Sequence, residues 1–275
     1  YNKKMGQGFR PNSEFASDNF YAFFSYKLND KIKISSEITY FKYLAQQPGG
    51  LTDLMFNYNM FQSNRERNWF EVNWLLYNFQ FSYDISDNTN WSINSFILDA
   101  HRYAVGFRSN RVDQVDSFME RDLIKSDFNN FGLETKIFHQ SRFCKKKLVS
   151  LLGLKIYSGS NSTRQGPGST DSDPDFNFQS TIFPNYESQS NYSNPNLNYS
   201  IFNENIFYLN DRMSIVPGFR FEYIQTASDG YYRDINTDAA GNVILNNLIS
   251  TDDIRRRSLF LYGIGYSFKF SKWSE

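Results

Sequence analysis

The stretch Tyr43–Val72, YLAQQPGGLTDLMFNYNMFQSNRERNWFEV, is a long polar loop between two alternating, aromatic segments. Gln46-Gln47-Pro48-Gly49-Gly50 opens it, and Arg65, Arg67 and Trp69 close it. Upstream, Phe20, Ala22, Phe24, Tyr26 and Leu28 fall on one side of an extended chain and Ser25 and Lys27 on the other, because side chains alternate along a strand. Asn29-Asp30-Lys31 reads as a tight turn. The return segment then sets Ile32, Ile34, Ile38 and Tyr40 against Lys33, Ser35, Glu37 and Thr39. Downstream, Tyr77, Phe79, Phe81, Tyr83 and Ile85 form an apolar row backed by Asn78, Gln80, Ser82 and Asp84. Phe70, Val72 and Trp74 take the opposite phase, which predicts either a bulge or a strand that rises past an apolar belt.

The same plan repeats along the chain. Polar turns centre near residues 30, 88, 144, 211 and 272, so one unit is about 60 residues. Each unit holds two strands and one long loop, with loops expected over roughly 43–66, 104–126, 159–196 and 226–256, and residues 1–17 as the tail of another. Alternation alone also suits a soluble sandwich. Tight turns that strictly alternate with long loops place all the long loops at one end, as in outer-membrane barrels, and a compact soluble domain rarely holds four such loops. The remaining apolar rows are Trp91, Ile93 and Ile97; Phe131, Leu133 and Ile137; Leu148, Leu152, Leu154 and Ile156; and Met213 through Tyr223. Phe260 through Phe268 form the last, and residues 197–208 are ambiguous. Glu134, Lys136, Lys155, Arg220, Glu222, Gly263, Gly265 and Lys269 are read as inward-facing. The fold class is therefore all-β, an antiparallel transmembrane β-barrel segment of about nine strands. An open edge cannot sit in lipid, because its N–H and C=O groups go unpaired. The rest of the barrel is therefore expected outside residues 1–275, which are read as part of one barrel domain. A plugged 22-stranded barrel would need roughly 650 residues at about 60 per strand pair. Tyr1-Asn2-Lys3-Lys4 opens in mid-pattern and Trp273-Ser274-Glu275 looks like the start of a further strand, as expected of a segment.

Composition narrows the function classes. The formal net charge is zero, from 29 basic and 29 acidic residues, which argues against a general nucleic-acid surface. The single cysteine, Cys144, excludes an internal disulfide and a cysteine-based zinc site. Aromatics make up 19% of the chain, as in barrels that wear aromatic girdles, and no apolar run reaches the ~18 residues of a transmembrane helix.

Several stretches, in consistent order, resemble TonB-dependent outer-membrane receptors of the ferric dicitrate type. They are Gly8-Phe9-Arg10-Pro11-Asn12-Ser13, YLAQQPGGLTD from Tyr43, QSNRERNWFEVNW from Gln62 and DFNNFGLETK from Asp127. NENIFYLND from Asn203, VPGFRFEYI from Val216, Asp229-Gly230-Tyr231-Tyr232 and LYGIGYSFKF from Leu261 complete the set. The resemblance implies a 22-stranded barrel, with a plug domain and a TonB-contacting segment that these residues do not contain. It implies the outer membrane of a Gram-negative bacterium, with lipid and lipopolysaccharide around the barrel and the TonB energy-coupling complex as a partner through the plug. The expected cargo is iron(III) dicitrate or another siderophore, taken up without catalysis or a resident cofactor. A non-iron cargo and a passive porin-like barrel stay open as alternatives. An outer-membrane phospholipase would need a serine paired with a histidine, and neither His101 nor His139 has such a motif.

An iron–citrate complex is anionic and oxygen-rich, which suits the planar, permanently charged guanidinium fork. The candidate ligand residues are Arg65 and Arg67 at the loop's re-entry, Arg102 and Arg108 beside the next loop, and Gln46 and Gln47 as neutral donors, with Arg10 a further candidate. The competing reading makes them solvated loop charges or contacts to lipopolysaccharide phosphates. Arg220 and Glu222, with Glu204 nearby, read as an inward ion-pair network. Asp171, Asp173 and Asp175 alternate in the manner of hard oxygen ligands around calcium, but lack the twelve-residue loop pattern and read as a surface loop. No metal ligand is assigned to His101 or His139.

Overall fold

The computed structural model describes residues 1–270, so the turn expected near residue 272 and the strand start at Trp273 lie outside the described residues. Ten strands form one antiparallel meander in sequence order. They are β1 (Asn2–Gln7), β2 (Glu14–Lys27), β3 (Ile32–Gln46), β4 (Trp69–Ser86), β5 (Thr89–Gly106), β6 (Asp122–Phe143), β7 (Lys146–Pro167), β8 (Ser190–Asn210), β9 (Met213–Thr237) and β10 (Val243–Phe268). The one helix among the described residues is α1 (Asp53–Tyr58), a short turn inside the β3–β4 loop with Thr52 Oγ1 accepting from the Met55 N–H at 3.3 Å. The sheet is open, since β1 and β10 do not pair.

Ten strands replace the nine expected. The extra one, β1, lies in a segment read as loop because Asn2, Lys3, Lys4 and Gln7 carry no apolar alternation; it is held by its ladder to Glu14–Asn19. The loops are also shorter than expected. β9 and β10 run as one hairpin over most of residues 226–256, leaving the turn Asp238–Asn242, and β7 extends to Pro167. The upper end of β7 is polar on both faces, and the β9–β10 hairpin mixes polar residues with Val243, Ile244, Leu245, Leu248 and Ile249, so a paired ladder rather than an alternating apolar stripe marks these strands. The phase change at Phe70, Val72 and Trp74 is not a bulge. β4 pairs with β3 and β5 without a shift from Trp69 to Asp84, so the strand simply continues past the apolar belt.

The register sorts the two faces. Phe24 is in register with Ser36, Ile34 with Phe81 and Ile93, Leu154 with Ile201, and Phe221 with both Ile201 and Phe260. Phe24, Phe81, Phe221 and Tyr266 therefore share one face, opposite Arg220 and Lys155. Large apolar side chains on that face stay exposed: Phe24 59%, Leu154 49%, Phe260 62%, Ile264 76%. Only Ala45, Val105, Leu123 and Val149 count as buried apolar residues among those described. A soluble sandwich would bury its apolar rows between two sheets. Here they form one continuous exposed belt, far beyond the patch a soluble monomer shows.

The opposite face is wet. Gln80, Asn94, Glu134, Lys155, Ser200 and Glu222 lie in one register row across β4 to β9. Arg220 Nε contacts Glu222 Oε1 along β9, and the Arg220 guanidinium lies over the Phe202 ring, 5.4 Å from its centroid. Glu204 is exposed and makes no ion pair with either among the described residues.

Candidate functional site

The site lies at the loop-bearing end of the sheet, where residues 47–68, 107–121 and 168–189 meet. Arg67 and Arg121 organise it. Both are large cationic side chains almost without solvent contact, 1% and 0% exposed. All three Arg67 guanidinium nitrogens donate to protein acceptors: Asp116 Oδ2 at 2.9 Å and Oδ1 at 2.7 Å, the Met119 carbonyl at 3.1 Å and the Thr170 carbonyl at 2.7 Å. The guanidinium also covers the Phe118 ring at 5.0 Å. Arg121 donates to the Asp173 carbonyl at 2.7 Å, Ser169 Oγ at 2.6 Å and the Arg67 carbonyl at 3.1 Å. The two arginines thus tie three loops together. Buried guanidinium survives there because each nitrogen has an acceptor; an unpaired charge at such depth would be strongly unfavourable.

Electrostatics follow from this packing. Burial pushes the Asp116 carboxyl up, but hydrogen bonds from Arg67 and the Phe118 N–H, with the charges of Arg67 and Arg65, outweigh it and hold the carboxyl below its ordinary range. Burial lowers the Arg121 guanidinium from its usual value. Asp122, itself buried, accepts from Arg108 at 2.6 Å, Gln165 at 2.9 Å and the Tyr186 hydroxyl at 2.6 Å. Burial and that hydrogen bond push the Tyr186 phenol up.

The six residues chosen from sequence divide. Arg65 is 7% exposed and donates to Ser109 Oγ at 2.9 Å and the Gln114 carbonyl at 3.2 Å, with its guanidinium over Phe107 at 5.0 Å. Like Arg67, it staples the β3–β4 loop to the β5–β6 loop. Gln46, the last residue of β3, donates to the Glu66 carbonyl at 2.7 Å, at the far end of the loop that follows it. Gln47 binds Asn68 O through its backbone N–H and leaves its side chain exposed. Arg108 is 58% exposed on its side chain while paired with Asp122. Arg102 is exposed on the wet face, in register with Val72 and Ser126, and has no ion-pair partner among the described residues. Arg10, the seventh candidate, donates to the carbonyls of Gly49 and Gln62 at 2.8 Å each and fastens the loop from the β1–β2 side.

Sequence reading passed over Arg255 and Arg257. Their register partners Thr226 and Ile224 place them on the wet face, whereas Arg256 reaches Gln225 on the other. Three consecutive arginines gave no facing signal by themselves; only the strand register separates them. With Asn161, Asn194 and Asn196 they line an open cavity of about 380 Å³ on the wall of β7 to β10. Asp253 pairs with Arg255 at 2.9 Å, and no described carboxylate pairs with Arg257. His101 Nε2 lies 3.2 Å from Glu71 Oε1 and its ring stacks on Tyr103 at 4.4 Å, while His139 meets Thr89 Oγ1 at 2.9 Å. Among the described residues no group of three or more histidine, cysteine or acidic side chains is set to hold a metal ion.

No protein-family model matches the sequence, and a search of curated proteins finds no match. Solved structures do match. The ferric citrate transporter FecA superposes with a TM-score of 0.74 at 14% identity, over 98% of this chain and 36% of that one. The ferric yersiniabactin uptake receptor FyuA from Yersinia pestis gives 0.73 at 10% identity, over 98% and 39%. The copper transporter OprC gives 0.59 at 15% identity, over 96% and 36%. The chain spans well under half the length of each of these proteins. At such identities the likeness is one of fold: an all-β antiparallel sheet that follows a stretch of a transport receptor's barrel wall.

Proposed function

We propose that this chain is part of the barrel of a TonB-dependent outer-membrane transporter that takes up a ferric chelate, iron(III) dicitrate or another siderophore, in a Gram-negative bacterium. One observation carries the reading. A single sheet presents an exposed aromatic and aliphatic belt on one face and, on the other, a polar wall with Arg102 and Arg257, which have no ion pair among the described residues, beneath a loop rim tied by buried arginines. In a membrane the belt meets hydrocarbon and the polar wall lines the bore. Cations that no described carboxylate neutralises suit an anionic, oxygen-rich cargo.

Within that reading the site residues take two roles. Arg102, Arg108 and Gln47 face the cargo, joined by Arg255 and Arg257. Arg65, Arg67 and Gln46 act on it through the loop rim that they hold in shape. TonB and the plug act through parts of the protein outside these residues, and lipid with lipopolysaccharide surrounds the belt. The likeness to a copper transporter supports a second reading, a barrel of the same class with a non-iron cargo.

Whole-cell uptake of radiolabelled iron supplied as ferric citrate, or as a panel of ferric siderophores, tests the proposal. Uptake should depend on the full-length protein and on an energised TonB system. Equal uptake of every ferric complex by a deletion strain would overturn it.

A further inference from the structure

We propose that an anionic cargo crosses this barrel along one lane of its wall, the wet face of β8 to β10, handed down a ladder formed by Arg255, Arg257 and Arg220. The inference rests on the reading of the chain as a ferric-chelate transporter and adds the path that a bound complex takes.

The register sets the rungs. Arg255 pairs with Thr226, Arg257 with Ile224, and Arg220 with Leu261, so all three lie on the wet face of the β9–β10 hairpin. Counted along β9 they stand level with residues 226, 224 and 220, descending from the loop-bearing end. At about 3.3 Å per residue the two steps are about 7 Å and about 13 Å. A pore passes anions by such spaced cations: each site attracts, and several weak sites in series let the ion leave. The counter-charges sit on the same two strands. Asp253 pairs with Arg255 at 2.9 Å and Glu222 contacts Arg220, whereas Arg257 between them has no ion pair among the described residues. A carboxylate beside each end rung keeps that rung from trapping an anion, and the middle rung supplies the pull.

The space follows the rungs. Two open cavities lie one below the other on this wall. The upper, of about 380 Å³, holds Arg255 and Arg257 among Asn161, Asn194 and Asn196. The lower, of about 630 Å³, holds Arg220 and Glu204 beside Gly218, Gly263 and Gly265. A side chain added at Gly263 would meet no atom within 4 Å, so bare backbone forms the floor there. Amides, guanidinium groups and glycine make this wall low and able to hydrogen-bond.

The wet face of β2 to β4 differs. Phe15, Tyr43, Phe41 and Trp74 form a run of rings there, with successive centroids 6.4, 6.1 and 5.2 Å apart. Such rings project into the bore, and their apolar area favours staying covered. A plug seated in the bore covers both walls at rest. The ringed wall is the one it leaves last, and the low, cationic wall is where a gap admits a hydrated anion.

The test uses cells that carry the full-length receptor, with radiolabelled ferric citrate and ferric tris(2,3-dihydroxybenzoate) as probes. Surface binding is read in uncoupled cells and initial uptake in energised ones. Arg257→Gln and Arg220→Gln should each lower the uptake rate about tenfold while the surface Kd moves by less than about twofold, since the charge acts on passage and not on capture. Arg257→Lys should keep most of the rate. Gly263→Leu, with open space for its side chain, should slow uptake by obstruction. Lys33→Gln, in the cavity lined by β3 to β6, should leave uptake at the parent rate. Because Arg257 has no ion pair to lose and Gly263 no neighbour to displace, these two variants keep the test sharp should Arg220→Gln fail to assemble. Unchanged uptake in Arg257→Gln and Gly263→Leu, a Kd that weakens in step with uptake, or an equal loss in Lys33→Gln would overturn the lane and leave the proposed transporter standing. A parent receptor that takes up neither complex would overturn both.

Discussion

Arg67 grips Asp116 at two points across 49 residues of chain, Nε to Oδ2 at 2.9 Å and the terminal nitrogen to Oδ1 at 2.7 Å, with both side chains shielded from water. The fork geometry explains why arginine and not lysine holds this position: one planar group reaches the carboxylate and two loop carbonyls together. Arg67→Ala leaves a buried carboxylate without its partner, at a cost of about 3–5 kcal/mol to the loop arrangement. The expected outcome is faster protease cleavage within residues 107–121, with the barrel's heat-modified gel migration unchanged. Arg67→Lys should recover only part of the protection. Unaltered cleavage in both variants would remove the clamp.

The same pair sets a pH dependence. The folded Asp116 carboxyl lies below its ordinary value of about 3.9. A carboxyl lowered on folding adds stability that is fully present above its unfolded value and fades as pH falls through the folded one. The clamp should therefore hold unchanged through neutral and mildly acidic pH and release only below the usual carboxylate range. Limited proteolysis against pH reads this directly, and Asp116→Asn should flatten the acid limb of the profile.

The two faces of β7 should respond oppositely to charge. Leu154 belongs to the apolar belt and Lys155, one residue on, to the polar wall. In lipid bilayers Leu154→Arg should lower unfolding free energy by about 2–4 kcal/mol if it sits near the midplane. Lys155→Ala should stay within roughly 0.5 kcal/mol of the parent. Equal effects at both positions would contradict the assignment of faces.

Gly230 faces Tyr192 in the upper β8–β9 ladder, where two backbones come together. A methyl group there would stand 2.1 Å from the Asn191 carbonyl oxygen and 2.8 Å from the Tyr192 Cα. Backbone cannot yield as a flexible side chain can, so Gly230→Ala should open the upper β8–β9 pairing. Hydrogen exchange at Asn191–Ser193 should rise while exchange near Phe221 stays slow. Gly263, with open space around it, takes alanine without such loss.

Much of the fold was legible in local pattern. Period-two alternation at Tyr77–Ile85 or Phe260–Phe268 determines which side chains share a face, because a strand allows only two directions. Tight turns such as Asn29-Asp30-Lys31 are encoded by side chains that bond their own backbone, as Asn29 Oδ1 does with the N–H groups of Lys31 and Ile32 at 2.9 Å each. Those local rules were enough to show that no apolar run in these residues is long enough for a membrane-crossing helix and to place the charged residues Lys155, Arg220 and Glu222 on the wet wall. They were not enough at β1, which has no apolar alternation, or at the upper parts of β9 and β10, where apolar and polar side chains mix on both faces and the pairing partner fixes the strand.

The site was legible only as a list of residue types. Arg65, Arg67, Arg102 and Arg108 look alike in sequence, yet two are sealed among loop carbonyls and two reach water. That division depends on Asp116, Met119 and Thr170, about 50 to 100 residues away, which supply the acceptors for Arg67. Arg255 and Arg257 gain their direction from the register with β9, and the four rings of Phe15, Phe41, Tyr43 and Trp74 meet only because three strands align. Alternation is a property of one strand and can be read from it. Burial of a guanidinium, or the freedom of one to meet a ligand, is a property of everything packed around it, and only the tertiary structure decides it.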